Sequence, residues 1–280
     1  MDKSRLERAA QSLRAALPAN FGTKPVLGLV LGTGLSPMGT RLAAEAHVPY
    51  DSIEGFPLSG EASHEGCFAF GLLEGLPVLA QMGRCHLYEG RTPDEVCMGV
   101  RIMGLLGVKT CVITNAAGAI NPQFAAGSIM VATDQINHTG VSPLTGPNED
   151  SLGLRFPDMS HIFDPRLQDL AHSTAARIGM RLERGVYIGV HGPELESPAE
   201  TRMYRAWGAD AIGMSTVLEV IAARHMGMKV LVLACLTNKN LPDCMGETSI
   251  EEIIEAANRT GVDLQRLLVA MTPSLAPFLR

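Results

Sequence analysis

Val108-Lys109-Thr110-Cys111-Val112-Ile113-Thr114 runs straight into Asn115-Ala116-Ala117-Gly118-Ala119. Residues 108–114 are near-continuously apolar, as expected of a strand buried on both faces rather than an alternating, half-solvated one. The polar and small residues that follow suit the carboxyl end of such a strand, where a ligand approaches the backbone closely. Working outward, residues 26–31, 76–82, 128–133, 185–190 and 229–237 have the same character and the same Gly, Pro or polar borders. Between them, residues 4–17, 93–106, 165–179, 198–207, 216–226 and 249–271 read as helices, and Pro93, Pro165 and Pro198 mark three of the starts. Alternation of this kind predicts an α/β fold with a central mixed, largely parallel β-sheet flanked by helices. No linker, repeat or low-complexity tract divides residues 1–280, so one domain is expected. The longest irregular region, about residues 137–164, has the length of a functional loop or of one that covers a neighbouring subunit.

Composition narrows the function. The 280 residues are 46% hydrophobic and 19% charged with a formal net charge of -6, which supplies a sizeable core and excludes a disordered chain. No Lys/Arg run is present, so nucleic acid and anionic membrane are not expected partners, and an anionic substrate would need a local basic cluster. The six cysteines, Cys67, Cys85, Cys97, Cys111, Cys235 and Cys244, form no C-x-x-C pair and read as buried reduced thiols of a cytoplasmic protein. The charged first residues leave no apolar core for a secretory signal. Residues 110–133 carry no charge, but Asn115, Asn121-Pro122 and Gln123 exclude a membrane span. His47, His138, His161, His172, His191 and His225 lack metal-ligand spacing, and no metal or organic cofactor is expected.

Several stretches have the chemistry of a site. Leu31-Gly32-Thr33-Gly34-Leu35-Ser36 follows a strand and offers backbone N–H groups and a hydroxyl to an anion, or serves as a plain strand-to-helix turn. Pro37 replaces the third glycine of a dinucleotide fingerprint, which argues against a nicotinamide-dependent oxidoreductase. In Gly83-Arg84-Cys85-His86-Leu87-Tyr88-Glu89-Gly90, an extended chain would project Arg84, His86 and Tyr88 to one face, a combination suited to phosphate beside a sugar. In Gly213-Met214-Ser215-Thr216-Val217-Leu218-Glu219, Thr216 and Glu219 form a capping box that places Ser215 at a helix N-terminus. Glu196 and the pair Thr237-Asn238 add a carboxylate and an amide, groups that can read a heterocyclic base.

Together these residues resemble the trimeric purine nucleoside phosphorylase family, from Leu31-Gly32-Thr33-Gly34 to Thr237-Asn238. The most specific stretches are residues 83–90, 115–118, 192–200 and 208–220. The resemblance implies phosphorolysis of inosine, guanosine and their 2′-deoxy forms by inorganic phosphate, giving free purine and ribose 1-phosphate. It implies phosphate binding by Thr33, His64, Arg84, His86, Ala116 and Ser215. Tyr88 and Met214 would line the ribose, and Leu195, Glu196, Thr237 and Asn238 the base, with His86, Glu196 and Asn238 as the catalytic set. Phe156 matches an aromatic that reaches a neighbouring subunit's site, which implies a homotrimer.

Glycosidic cleavage builds positive charge on the ribose and negative charge on the leaving purine, and phosphate and Asn238 would stabilise these in turn. Glu196 accepting from N1–H would select a 6-oxopurine, because adenine offers an acceptor there. This sequence departs from the family pattern in three places. Thr33 stands for a common Ser, Leu195 for a common aromatic, and Ile250 for a His that serves the ribose 5′-hydroxyl. Ile250 leaves 5′-methylthioinosine as an alternative substrate, and a nucleoside-binding protein without turnover is the remaining class of reading.

Overall fold

The first strand, β1 (Leu27–Leu31), alternates its side chains between two cores, Val30 facing one and Leu27, Leu29 and Leu31 the other. That two-sided burial is why the sequence reads as an unbroken apolar run. The structure is a computed structural model and describes residues 2–32, 41–60 and 65–280. The remaining strands are β2 (Ala43–Pro49), β3 (Cys67–Leu73), β4 (Leu76–Met82), β5 (Thr110–Ala119), β6 (Ile129–His138), β7 (Leu182–Val190), β8 (Ala211–Gly213) and β9 (Lys229–Lys239). They form one nine-stranded sheet in the order β2-β3-β4-β1-β5-β8-β7-β6-β9. An extra β5–β9 pairing closes β5, β8, β7, β6 and β9 into a barrel-like ring. β1 is parallel to both β4 and β5, and β5 is parallel to β9, whereas β2–β3, β3–β4, β5–β8 and β6–β9 are antiparallel.

The helices are α1 (Lys3–Ala16), α2 (Pro93–Val96), α3 (Met98–Leu105), α4 (Pro165–Arg177), α5 (Pro198–Ala206), α6 (Val217–His225) and α7 (Ile250–Met271). Apolar faces of α1, α3 and α6 cover one side of the sheet, and those of α4 and α7 the other. Starts follow local chemistry. Asp164 accepts from the N–H groups of Arg166 and Leu167 ahead of α4, and Ser249 and Glu252 exchange capping bonds at α7. Truncating a central residue such as Leu233, which is fully buried, would cost about 2–5 kcal/mol.

The structure corrects several boundaries. β2, β3 and β8 are absent from the sequence-derived strands, β5, β6, β7 and β9 run longer, and the helix expected over 93–106 is two, divided at Cys97. Cys244 is exposed, while the other five cysteines are buried thiols. No helix among the described residues is long and apolar enough to cross a membrane.

Because β1, β4, β5 and β9 are mutually parallel, their carboxyl ends emerge on one side of the sheet. These ends, with the segments after β7 and β8 and the start of α7, enclose a cavity.

Candidate functional site

A cavity of about 390 Å³ lies at this carboxyl edge, a size that suits a small organic ligand. It is lined by Gly32, Arg84, His86, Ala116 and Ser215 and by Leu195, Glu196, Thr237, Asn238 and Asn240, with Tyr88, Met214, Ile250 and Ile253 also on the wall.

Arg84 follows β4 and is 1% exposed. Its Nη1 donates to Glu219 Oε2 at 2.6 Å and lies 3.5 Å from Thr216 Oγ1, and its Nη2 donates to the Thr114 carbonyl. Glu219 also accepts from the Thr216 N–H at 3.1 Å. It therefore caps α6 and anchors the guanidinium, so the fork is held in place with its charge balanced. Gly32 makes this approach possible, because a Cβ there would stand 3.1 Å from both Arg84 Nη2 and the Thr114 carbonyl oxygen.

His86 and Tyr88 stack with ring centroids 4.7 Å apart and an interplanar angle of 12°. The chain does not stay extended as expected over Arg84, His86 and Tyr88. Residues Leu87–Glu89 form a turn of 3-10 helix, which places Glu89 Oε1 3.0 Å from His86 Nδ1. Burial works against the Glu89 charge, but hydrogen bonds from the His86 ring and the backbone N–H groups of Gly60 and His86 prevail and hold its carboxyl at about 2. An ionised Glu89 fixes the orientation of the imidazole.

Ser215 reaches the cavity because Thr216 has φ 75° and ψ -55°, with the Val217 N–H donating to the Ser215 carbonyl at 2.8 Å. This is a γ-turn, a strained backbone that costs about 1–3 kcal/mol. Asn115 Nδ2 supports it by donating to Thr216 Oγ1 at 2.8 Å.

Glu196 lies between β7 and α5. Burial raises its carboxyl above the usual range, and a nearby Glu200 adds to this while the Asn240 amide opposes it. Asn240 Nδ2 donates to Glu196 Oε2 at 2.6 Å, and Asn238 Nδ2 donates to Asn240 Oδ1 at 2.6 Å. The Thr237 hydroxyl stands 2.9 Å from Asn238 Oδ1 and 3.2 Å from the Ala117 carbonyl oxygen. The carboxylate and amides of Glu196, Asn240 and Asn238 thus share one cavity with the Arg84 guanidinium, the His86 imidazole and the Ser215 hydroxyl. The first set fits a base and the second an oxyanion.

The Phosphorylase superfamily pattern matches residues 27–273 of this chain. The chain is 42% identical over 276 residues to purine nucleoside phosphorylase 1 of Geobacillus stearothermophilus, covering 99% of both. It is 40% identical over 259 residues to the purine nucleoside phosphorylase of Bos taurus, covering 90% of both. The crystal structure of a schistosoma purine nucleoside phosphorylase in complex with hypoxanthine superimposes with a TM-score of 0.88 at 30% identity, covering 96% of each chain. The chain belongs to the purine nucleoside phosphorylase family.

In this family member, Arg84, His86, Tyr88, Ala116, Leu195, Glu196, Met214, Ser215, Thr237, Asn238 and Ile250 all border one cavity. Phe156 does not border it in the single chain and is 86% exposed in the irregular region after β6. Thr33 and His64 lie outside the described residues. Three contributors escaped the sequence reading. Glu89 and Glu219 orient His86 and Arg84, and Asn240 joins Glu196 to Asn238. Asn240 had a usable signal, since residues 238 and 240 share one face of an extended chain. Among the described residues, no group of three His, Cys, Asp or Glu side chains is placed to hold a metal ion.

Proposed function

We propose that this protein cleaves inosine, guanosine and their 2′-deoxy forms with inorganic phosphate, releasing the purine and ribose 1-phosphate. The observation that carries this reading is the pairing, across one cavity, of Arg84, His86 and Ser215 with Glu196 and Asn238 in a chain of this family. Phosphate sits with Arg84, His86, Ser215 and the Ala116 backbone, and Thr33 and His64 complete its shell. The base sits against Glu196 and Asn238, beside Leu195 and Thr237, and the ribose lies between, along Tyr88 and Met214.

The chemistry follows from the charges. As the glycosidic bond lengthens, the ribose becomes an oxocarbenium-like cation, and the phosphate held beneath it is the nearest anion. The purine departs with the bonding electrons, a phosphate oxygen bonds to the anomeric carbon to give ribose 1-phosphate, and the proton lost by hydrogen phosphate ends on the purine. Asn238 Nδ2 donates toward that growing negative charge, while the Glu196 carboxylate accepts from N1–H and fixes the ring. His86, oriented by Glu89, donates to or accepts from phosphate according to its protonation state. No metal or organic cofactor enters this sequence of events; phosphate is the second substrate.

Residues 1–280 act as one phosphorylase domain in this reading, working in the cytoplasm as a homotrimer in which Phe156 closes a neighbour's ribose site. Its exposure as a large aromatic, with Leu154 beside it 74% exposed, supports that role. A second substrate is favoured by a specific observation. Ile250 and Ile253 border the cavity, so an apolar 5′ substituent meets an apolar wall. The test is base release from inosine and from 5′-methylthioinosine, each with and without phosphate. Phosphate-dependent turnover of inosine is expected, and a preference for the methylthio substrate assigns specificity to Ile250. Absence of phosphate-dependent release from both refutes the proposal.

A further inference from the structure

Asn240 is the residue of the cavity whose bonds extend in both directions to the groups that face the base. It is 6% exposed, and its own N–H donates to the Ala119 carbonyl at 2.8 Å, which fixes the backbone. Gly118 leaves the space for its side chain, since a Cβ at 118 would stand 2.7 Å from Asn240 Nδ2. An ionised carboxylate accepts hydrogen bonds and donates none, so Glu196 Oε2 at 2.6 Å requires the amide nitrogen of Asn240 on its side. The carbonyl oxygen of Asn240 is thereby turned toward Asn238, and at 2.6 Å it requires Asn238 to present Nδ2. The Thr237 hydroxyl, 2.9 Å from Asn238 Oδ1, agrees with that sense. The charge on Glu196 thus dictates, through one intervening amide, that Asn238 turns Nδ2 toward Asn240 and Oδ1 toward the Thr237 hydroxyl.

We infer that Asn240 is a positioning residue that couples the ionised Glu196 to the donor orientation of Asn238, so that the two base-reading groups are set together. The inference rests on the assignment of Glu196 and Asn238 to the base. An Asn238 flipped by about 180° would offer an acceptor to the leaving purine in place of a donor, reversing its effect on the developing negative charge. The charged and titratable groups around Glu196 are Glu194 and Glu200 along its own segment and α5, Tyr204 of α5, and Lys239 and Glu247 in the adjoining cavity. Asn240 bonds the carboxylate directly, and the Glu196 backbone N–H also donates to it.

The test compares Asn240→Asp and Asn240→Leu with the parent in full phosphate and inosine kinetics from acid to alkaline pH, with melting temperatures alongside. Asn240→Asp keeps the size and the acceptor facing Asn238 but sets a second carboxylate against Glu196. It is expected to move the acid limb of kcat/KM upward and to lower kcat/KM by about ten- to a hundredfold near neutrality, the loss of one hydrogen bond to a charged group. Asn240→Leu is expected to lose a similar factor in nucleoside kcat/KM with phosphate KM unchanged. A fall in melting temperature with parental acid limb and parental kcat/KM in Asn240→Asp would overturn the inference. Glu196→Gln separates the levels. If it collapses turnover while Asn240→Asp stays parental, the coupling alone is wrong. If Glu196→Gln itself keeps parental activity, the base assignment is wrong and the coupling falls with it.

Discussion

Removing the Glu219 carboxylate should damage both the stability of the protein and its use of phosphate. Arg84 and Glu219 are 1% and 0% exposed and meet at 2.6 Å. In Glu219→Ala the guanidinium loses this carboxylate and retains the Thr114 carbonyl and the more distant Thr216 hydroxyl. Deleting one partner of a buried ion pair costs about 3–5 kcal/mol. For a chain of this size that lowers the melting temperature by roughly 5–15 °C. Arg84 also loses the anchor that holds its fork at the cavity. A shift of about 1 Å in such a group costs about 10²-fold in rate, so kcat/KM for phosphate should fall on that scale. Glu219→Gln retains an acceptor toward Nη1 and should lose less of both. Differential scanning fluorimetry and phosphate saturation curves at fixed inosine read the two effects. A Glu219→Ala protein with the parental melting temperature and phosphate kinetics would refute the argument that Glu219 holds Arg84.

Three further expectations follow from the same geometry. Asn238→Ala should lower kcat by about 10²–10³-fold, as for loss of an oxyanion-type donor, and a kcat within a few-fold of the parent would remove Asn238 from the chemistry. Glu196→Gln should lose turnover of 6-oxopurine nucleosides while the protein melts at or above the parental temperature near pH 7. The folded carboxyl of Glu196 lies above its ordinary value, so its contribution is fully present below the unfolded pKa and is lost as pH rises through the folded one. The parent should therefore melt relatively higher at acid pH than the variant does, and identical pH profiles of melting would contradict that sign. Phe156→Ala should raise the nucleoside KM with a stability change within about 0.5 kcal/mol, because the ring is exposed in the single chain. Unchanged kinetics would remove the shared-site assignment.

The parts of the fold visible in sequence are those where burial leaves a one-dimensional trace. In β9, Val230, Val232, Ala234 and Leu236 enter one core and Leu231, Leu233 and Cys235 the other, so every residue from 230 to 236 is apolar. In β2 only Val48 is buried, and Ala43, Ala44, Glu45 and Pro49 are exposed, so no such trace exists. β8 has three residues and is held by pairing to β5 and β7, which are distant in sequence. The division at Cys97 follows a four-residue first helix capped by Thr92 and Glu95, a local signal that a continuous periodic reading passes over.

The site divides in the same way. Arg84, His86, Glu196 and Asn238 were legible because their side-chain chemistry and their position after a strand or in a loop point to a ligand. Their supports were not, because each is a contact between distant positions or carries another local explanation. Glu219 reads as a cap, and its second partner is 135 residues away. Glu89 reads as a surface acid until the turn at residues 87–89 brings it to His86. Asn240 reads as a loop polar residue until the segment carrying Glu196 lies against it, 44 residues distant in sequence.

The measurement that bears most directly on the central claim is hypoxanthine release from inosine by the purified protein, followed with and without inorganic phosphate, with ribose 1-phosphate assayed as the co-product. Release is expected to require phosphate, to saturate with it, and to yield one ribose 1-phosphate per hypoxanthine. Release that proceeds equally without phosphate and yields free ribose, or no release at all, would contradict that claim.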